Sequence, residues 1–440
     1  MIKHRTFSYK SPEDIRETAK KTGVQIPLSE DVSILSAHIN ICGKTVQNRI
    51  AIQPMEGCDG TKDGAPDELT IRRYTRFASG GAGLIWFEAV AVVPEARANP
   101  RQLMLAKDNL DSFKRLVNRI KETSLNTNGF EPLIILQATH SGRYSKPYDK
   151  PEPLIACHNP VYEKNSPLND ACIASDEYLD TLAGHYAVTA RLSEEAGFDG
   201  MDVKACHRYL INELLSARTR DNSRYGGGFE ERIKLLCDAI KAARSAVSKN
   251  MVITSRMNVY DGIEYPYGFG VSRESFLIPD LSEPAALVKR LRELGVGLIN
   301  ITIGNPYFNP HVNRPFDKGP YEPPEHPFVG LARMYDCVKV IKSACDDMIV
   351  IASGLSYNRQ FAANVAAGLL WEGYADIAGF GREAFAYPDF PRDILKGNGM
   401  EKNKCCIACG KCSELMRAGC ATGCVVRDKV YADIYRNLSK

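Results

Sequence analysis

Cys406, Cys409, Cys412 and Cys424 are spaced C-x2-C-x2-C-x11-C. Thiolates two residues apart can wrap one face of a small metal centre, and a fourth arriving later closes the cage. Three close cysteines and one distant one is iron–sulfur spacing more than zinc spacing, because zinc sites usually pair their ligands two and two. Cys405 and Cys420 are further candidates. Cys406 gives a better register than Cys405, and the choice between Cys420 and Cys424 stays open. A structural zinc site and a set of buried structural thiols are the two competing readings. Six of the chain's 14 cysteines fall in this one short segment, which weighs against buried thiols.

A second set of reactive side chains follows short apolar runs. Pro54, Met55 and Glu56 close the first. Gln137, His140 and Arg143 follow the third. Lys204, His207 and Tyr209 follow the fourth, and Arg256 closes the fifth. Ser353 and Gly354 end the seventh, and Gly379, Gly381 and Arg382 end the eighth. The runs are IAIQPM (50–55), GLIWFEAV (83–90), LIILQAT (133–139), FDGMDV (198–203), MVITSRM (251–257), GLINITI (297–303), MIVIAS (348–353) and ADIAGF (375–380). Each has strand length and gives way to Gly, Pro or polar residues. Amphipathic stretches such as EPAALVKRLRELGV lie between them. Eight strands alternating with helices predict an α/β fold, a (β/α)8 TIM barrel. The competitor, an open doubly wound sheet, usually carries a Gly-rich dinucleotide turn after its first strand, and no G-x-G-x-x-G occurs here. In a barrel the chemistry sits at the C-terminal strand ends, where the reactive residues fall. Gly-rich ends on the last two strands suit a phosphate held by backbone N–H groups, so a phosphorylated ligand is expected.

At 440 residues the chain can bury a large core. Its net charge of +3 suggests neither nucleic acid nor an anionic membrane as partner. MIKHRTFSYKSPED has no apolar signal core and no run is long enough to span a bilayer, so a cytoplasmic protein is expected. A reducing compartment also suits a thiolate-held cluster. The expected organisation is a polar lead-in (1–47), the barrel (48–395) and a short cysteine-rich segment (396–440).

The barrel motifs resemble those of the old yellow enzyme family of flavin-dependent reductases. They are NRIAIQPM, QATHSGR, the stretch AGFDGMDVKACHRYLINELLSARTRDNSRYGGGFEERIKLL and ADIAGFGREAFAYPDF. The cysteine spacing is similar to the iron–sulfur branch, which includes 2,4-dienoyl-CoA reductase and trimethylamine dehydrogenase. The resemblance implies FMN and a 4Fe–4S cluster. It implies Gln137 and Arg256 at the flavin pyrimidine edge, with Pro54 and Met55 near the ring. Ser353, Gly354, Gly379, Gly381 and Arg382 would grip the phosphate. Tyr209 would be the proton donor and His207 the donor to the substrate carbonyl. Two positions depart from the pattern. Lys204 stands where the family usually has His, and Glu56 where it often has Thr or Cys touching flavin O4. Unpaired buried charges are costly, so Lys204 and Glu56 are expected to pair.

The function this implies is an ene-reductase acting on a C=C bond conjugated to a carbonyl, carboxylate or thioester. Other members of the branch carry nucleotide-binding domains after the cluster, and too little sequence follows it here. Electrons are therefore expected from a separate donor protein or carrier. An amine dehydrogenase or demethylase and an electron-transfer flavoprotein subunit are the alternatives. The oligomeric state is left open, a homo-oligomer included.

Overall fold

The computed structural model describes residues 6–317 and 319–438. Its strands, in chain order, are β1 (Ile39–Ile41), β2 (Lys44–Val46), β3 (Ile50–Ile52), β4 (Leu84–Ala91), β5 (Leu133–Thr139), β6 (Gly200–Val203), β7 (Val252–Asn258), β8 (Leu298–Thr302), β9 (Ile349–Ala352) and β10 (Ile377–Phe380). Strands β3 to β10 form a closed parallel barrel in sequence order, β10 pairing with β3 through Ala378↔Ile50, Gly379↔Ala51 and Phe380↔Ile52. These are the eight runs read from the sequence. Helices such as Asp176–Glu195, Phe229–Ser245, Ser282–Glu293 and Pro327–Ala344 surround it. None of the helices is long and apolar enough to cross a membrane.

The period of two along each strand sorts the barrel interior into layers. At the N-terminal end Ala51, Leu84, Trp86, Leu133, Ile135, Val252, Leu298, Ile351 and Ile377 pack into an apolar floor. Two residues on, the inward positions become Gln53, Gln137, Thr254, Asn300, Ser353 and Gly379, with Asp202 at the same level of β6. One step further lie Lys204, Arg256, Thr302 and Gly381. The same alternation that fills the floor with hydrocarbon therefore raises the polar groups to the open end.

The lead-in, read from the sequence as polar, carries regular structure among its described residues. It forms the helix Pro12–Lys21, capped by Ser11, and the antiparallel hairpin β1–β2. Ile39, Ile41 and Val46 of the hairpin join the apolar floor and close the barrel at the end away from the chemistry.

The cysteine-rich segment is packed onto the opposite end. Cys405 and Ala408 belong to the main core, while Leu415, Ala421 and Tyr431 form a small cluster with Leu69. The backbone of Thr422 donates to Gly57 O at 2.7 Å, just past β3. Buried Asp428 pairs with Arg72 at 2.8 Å and with Arg76 of the helix Glu68–Ser79. The segment thus lies across the barrel mouth.

Candidate functional site

One cavity opens at the C-terminal end of the barrel, with about 1060 Å³ of space including its mouth. Every flavin-site and catalytic position expected from the sequence lines it, from Pro54 on β3's loop to Arg382 after β10. His140 and Arg143 do not. His140 is buried against the Tyr178 hydroxyl at 2.8 Å, and Arg143 is paired with Glu163 and Glu213. Both are structural.

Two polar hubs set the floor of the cavity. Asp202 accepts from Trp86 Nε1 (2.8 Å), Gln137 Nε2 (2.7 Å) and the Arg256 backbone N–H (2.6 Å). Burial raises its carboxyl pKa to about 6, against the pull of those donors. Because the Gln137 amide nitrogen is committed to Asp202, its carbonyl is left to accept from a ligand. The second hub joins Gln53 and Asn300 by paired amides (2.7 and 3.2 Å), with Arg256 Nε donating to Asn300 Oδ1 at 3.2 Å. The Arg256 guanidinium is buried and has no ion-pair partner among the described residues. A buried cation of this kind calls for an anionic or electron-rich ligand.

The Gly positions have distinct reasons. Gly354 has φ +88°, and a Cβ there would stand 2.5 Å from Met334 Sδ. Gly379 is fixed by packing, since its Cβ would fall 2.0 Å from Gln53 Nε2. Each lets backbone approach the cavity where a side chain would fill it.

The loop after β6 carries the reactive groups. His207 and Arg208 have φ of +64° and +60°, an uncommon conformation outside glycine. It is held by Arg208 N donating to Asn212 Oδ1 (2.7 Å) and by a buried Arg208–Asp261 pair (3.1 Å). The turn faces both His207 and Tyr209 into the cavity. Burial, with Arg256 and Lys204 nearby, pushes the His207 pKa well down, so the ring is neutral at pH 7. Its Nε2 is buried without a hydrogen-bond partner among the described residues. The Tyr209 hydroxyl donates to Glu56 Oε1 at 3.1 Å. With its single proton so used, it accepts from Tyr307 Oη at 3.0 Å. Lys204 Nζ lies 3.1 Å from Glu56 Oε1 and 3.7 Å from the Tyr209 ring centroid. The Glu56–Lys204 pair expected from opposite charges is present.

A second, smaller cavity is lined by Cys405, Cys406, Cys409, Cys412 and Cys424. Burial raises the Cys406 and Cys424 thiols, and the nearness of Cys412 raises both further. Cys405 Sγ donates to Glu401 O at 3.3 Å, and Cys420 lies off the cavity. In a 4Fe–4S cluster each thiolate takes its own iron, so the sulfurs surround a cavity instead of meeting at one ion. Among the described residues no three His, Cys, Asp or Glu converge on a single-ion site. Arg382, Phe385 and Cys412 line both cavities, so one wall separates them.

Residues 35–283 match the family model for the NADH:flavin oxidoreductase / NADH oxidase family. The chain belongs to this family. A curated relative, NADH oxidase of Thermoanaerobacter brockii, is 27% identical over 405 residues, covering 88% of this chain and 56% of the relative. Among solved structures, a 2-naphthoyl-CoA reductase complex superposes with a TM-score of 0.73 at 21% identity, over 90% of this chain and 57% of that one. Histamine dehydrogenase from Rhizobium sp. 4-9 superposes with a TM-score of 0.68 at 20% identity, over 90% and 52%. At these identities the two structures bear on the fold. The chain spans little more than half the length of each of the three.

Within this flavoprotein family the cavity fits a flavin. It offers a buried guanidinium and an oriented amide at its base, with Gly backbone at the ends of β9 and β10. Gln53, Asp202, Asn300, Tyr307 and Arg314 were not singled out from the sequence. The first three could have been found by counting inward positions in twos. Tyr307 and Arg314 sit on an irregular loop that carries no such signal.

The Glu56–Lys204 pair has a testable signature. Lys204 is 3% exposed and Glu56 13%, so removing one partner strands a sheltered charge. Breaking such a pair costs about 3–5 kcal/mol. Lys204→Ala is therefore expected to destabilise the FMN-loaded protein more than the Glu56→Ala, Lys204→Ala double change does. Denaturant titration of the four proteins gives the coupling, expected at roughly 0.5–3 kcal/mol. Additive losses would show that the pair carries no energy of its own.

Proposed function

We propose that the chain binds FMN and a 4Fe–4S cluster and reduces a C=C bond conjugated to a carbonyl, carboxylate or thioester. The observation that carries this reading is the placement of the Tyr209 hydroxyl and the unpartnered His207 Nε2 in one cavity, above Arg256 and Gln137. Arg256 and Gln137 would hold the flavin pyrimidine edge, with Pro54, Met55 and Glu56 beside the ring. Ser353, Gly354, Gly379, Gly381 and Arg382 would hold its phosphate. Cys406, Cys409, Cys412 and Cys424 would hold the cluster. When bound and reduced, FMN would supply the hydride that the β-carbon of the substrate accepts.

The chain's own residues manage charge and protons. His207, neutral through burial, donates an N–H to the substrate carbonyl oxygen and stabilises the negative charge that develops there. Tyr209 gives its phenolic proton to the α-carbon. Burial, then Glu56, raises the Tyr209 pKa, which makes the phenol reluctant to ionise. Tyr307 raises it further, while Lys204 over the ring opposes the rise by favouring the phenolate.

An amine oxidation is the second reading of the reaction, and histamine dehydrogenase shares the fold. Arg256, Arg314 and Arg382 line the cavity without a carboxylate ion-pair partner among the described residues, and these cations repel a protonated amine. Product analysis tests the assignment. With a low-potential donor under anaerobic conditions, an enone, an enoate or an enoyl thioester should yield its saturated product. Conversion of none of the three, alongside oxidation of an amine, overturns it.

The shared wall of Arg382, Phe385 and Cys412 supports electron delivery from a separate donor through the cluster. The name of the NADH oxidase relative favours nicotinamide as a direct donor instead. A low-potential donor such as reduced ferredoxin is expected to reduce the flavin quickly and NADH slowly in stopped-flow absorbance. Rapid stoichiometric reduction by NADH would make the direct route the working one.

A further inference from the structure

Arg314 follows the short helix Pro310–Asn313 on the connection after β8. It lines the large cavity with His207 and Tyr307, and its nearness helps depress the His207 pKa, after burial, Arg256 and Lys204. Its hydrogen-bond partners are neutral, the Ser413 hydroxyl and the Pro306 carbonyl at 3.4 Å, and the Cys412 thiol next to Ser413 lies near enough to favour the cation. Arg417 also donates to that carbonyl at 3.4 Å, from the exposed side. Arg382 is the third cation here, and it faces the cysteine cavity as well. Among the described residues none of the three arginines has a carboxylate within ion-pair distance.

A guanidinium sheltered in a cavity costs free energy unless an anion meets it. Its planar fork suits a carboxylate or a phosphate. The flavin's phosphate already has a place at the Gly-rich ends of β9 and β10. We infer that Arg314, with Arg417 sharing its Pro306 carbonyl, binds an anionic group of the substrate that lies apart from the reducible C=C bond. This deepens the ene-reductase reading and rests on it for the word substrate. The chemistry is that of an oxyanion, either a carboxylate on the substrate skeleton or a phosphate on a thioester carrier.

The test uses FMN-loaded protein and a matched pair of probes. 4-Phenylbut-3-en-2-one is neutral, and its para-carboxylated form adds one anion remote from the C=C bond. Dissociation constants are read from the change in flavin absorbance. The carboxylated probe is expected to bind at least tenfold more tightly. Arg314→Met should abolish that advantage, Arg314→Lys should restore part of it, and the neutral probe and FMN content should be unchanged. The coenzyme A thioester of cinnamate is the third arm. An Arg314-dependent advantage confined to it assigns the phosphate source, and one shown by the carboxylated ketone assigns the carboxylate. Equal affinity for all three probes overturns the inference, as does loss of FMN from Arg314→Met, which would place the arginine on the cofactor. If the anionic probe binds through Arg314 but is never reduced, the anion site stands and the ene-reductase reading falls.

Discussion

Tyr209→Phe is expected to leave FMN binding and flavin reduction intact while slowing reoxidation by an alkene about a hundredfold to ten-thousandfold, the usual worth of a general acid. The change keeps the ring, and with it the contact to Lys204 Nζ 3.7 Å away. It removes the proton, the hydrogen bond to Glu56 and the acceptor for Tyr307. Tyr209 is 1% exposed on a loop held by buried Arg208, so the fold should tolerate the loss of one hydroxyl. Anaerobic stopped-flow with pre-reduced protein separates the two half-reactions. Unchanged reoxidation would remove Tyr209 from proton delivery. Because Tyr307 Oη sits 3.0 Å from the vacated oxygen, Tyr307→Phe then becomes the informative variant.

Cys424→Ala is expected to abolish the complete cluster. Anaerobically purified protein should hold about four irons per chain, the stoichiometry of a 4Fe–4S centre with four thiolates. Cys424 lines the same cavity as Cys406, Cys409 and Cys412, while Cys420 lies outside it with its Sγ turned to Ala418 O at 3.8 Å. Cys420→Ala should therefore retain full iron. The Cys424 variant should also lose fast flavin reduction by a low-potential donor, yet still be reduced by dithionite. Full iron in Cys424→Ala would move the fourth ligand to Cys420 or Cys405.

The barrel was legible because its signal is local. Eight apolar runs of strand length, separated by amphipathic stretches, specify strands and helices without reference to distant residues. The hairpin β1–β2 was not legible, since INI and KTV are three residues each and split by a turn. Their apolar side chains acquire meaning only when the open barrel floor is there to be closed. The site was legible where strands end in reactive side chains, and the opposite charges of Glu56 and Lys204 foretold a contact across 148 residues. Asp202 escaped notice because it lies inside an apolar run, where a carboxylate can stay only by gathering donors from β4, β5 and β7. Tyr307 and Arg314 escaped because an irregular loop has no period to read. His140 and Arg143 show the converse: they look reactive in sequence, but neighbours in the fold engage both.

The most direct test of the account mixes fully reduced, FMN- and cluster-loaded protein anaerobically with an enone, an enoate and an enoyl thioester in turn, following flavin absorbance in a single turnover. At least one compound should return the flavin to its oxidised form, with one saturated product formed per flavin. Flavin that stays reduced with all three, while an amine reduces the oxidised protein, would contradict it.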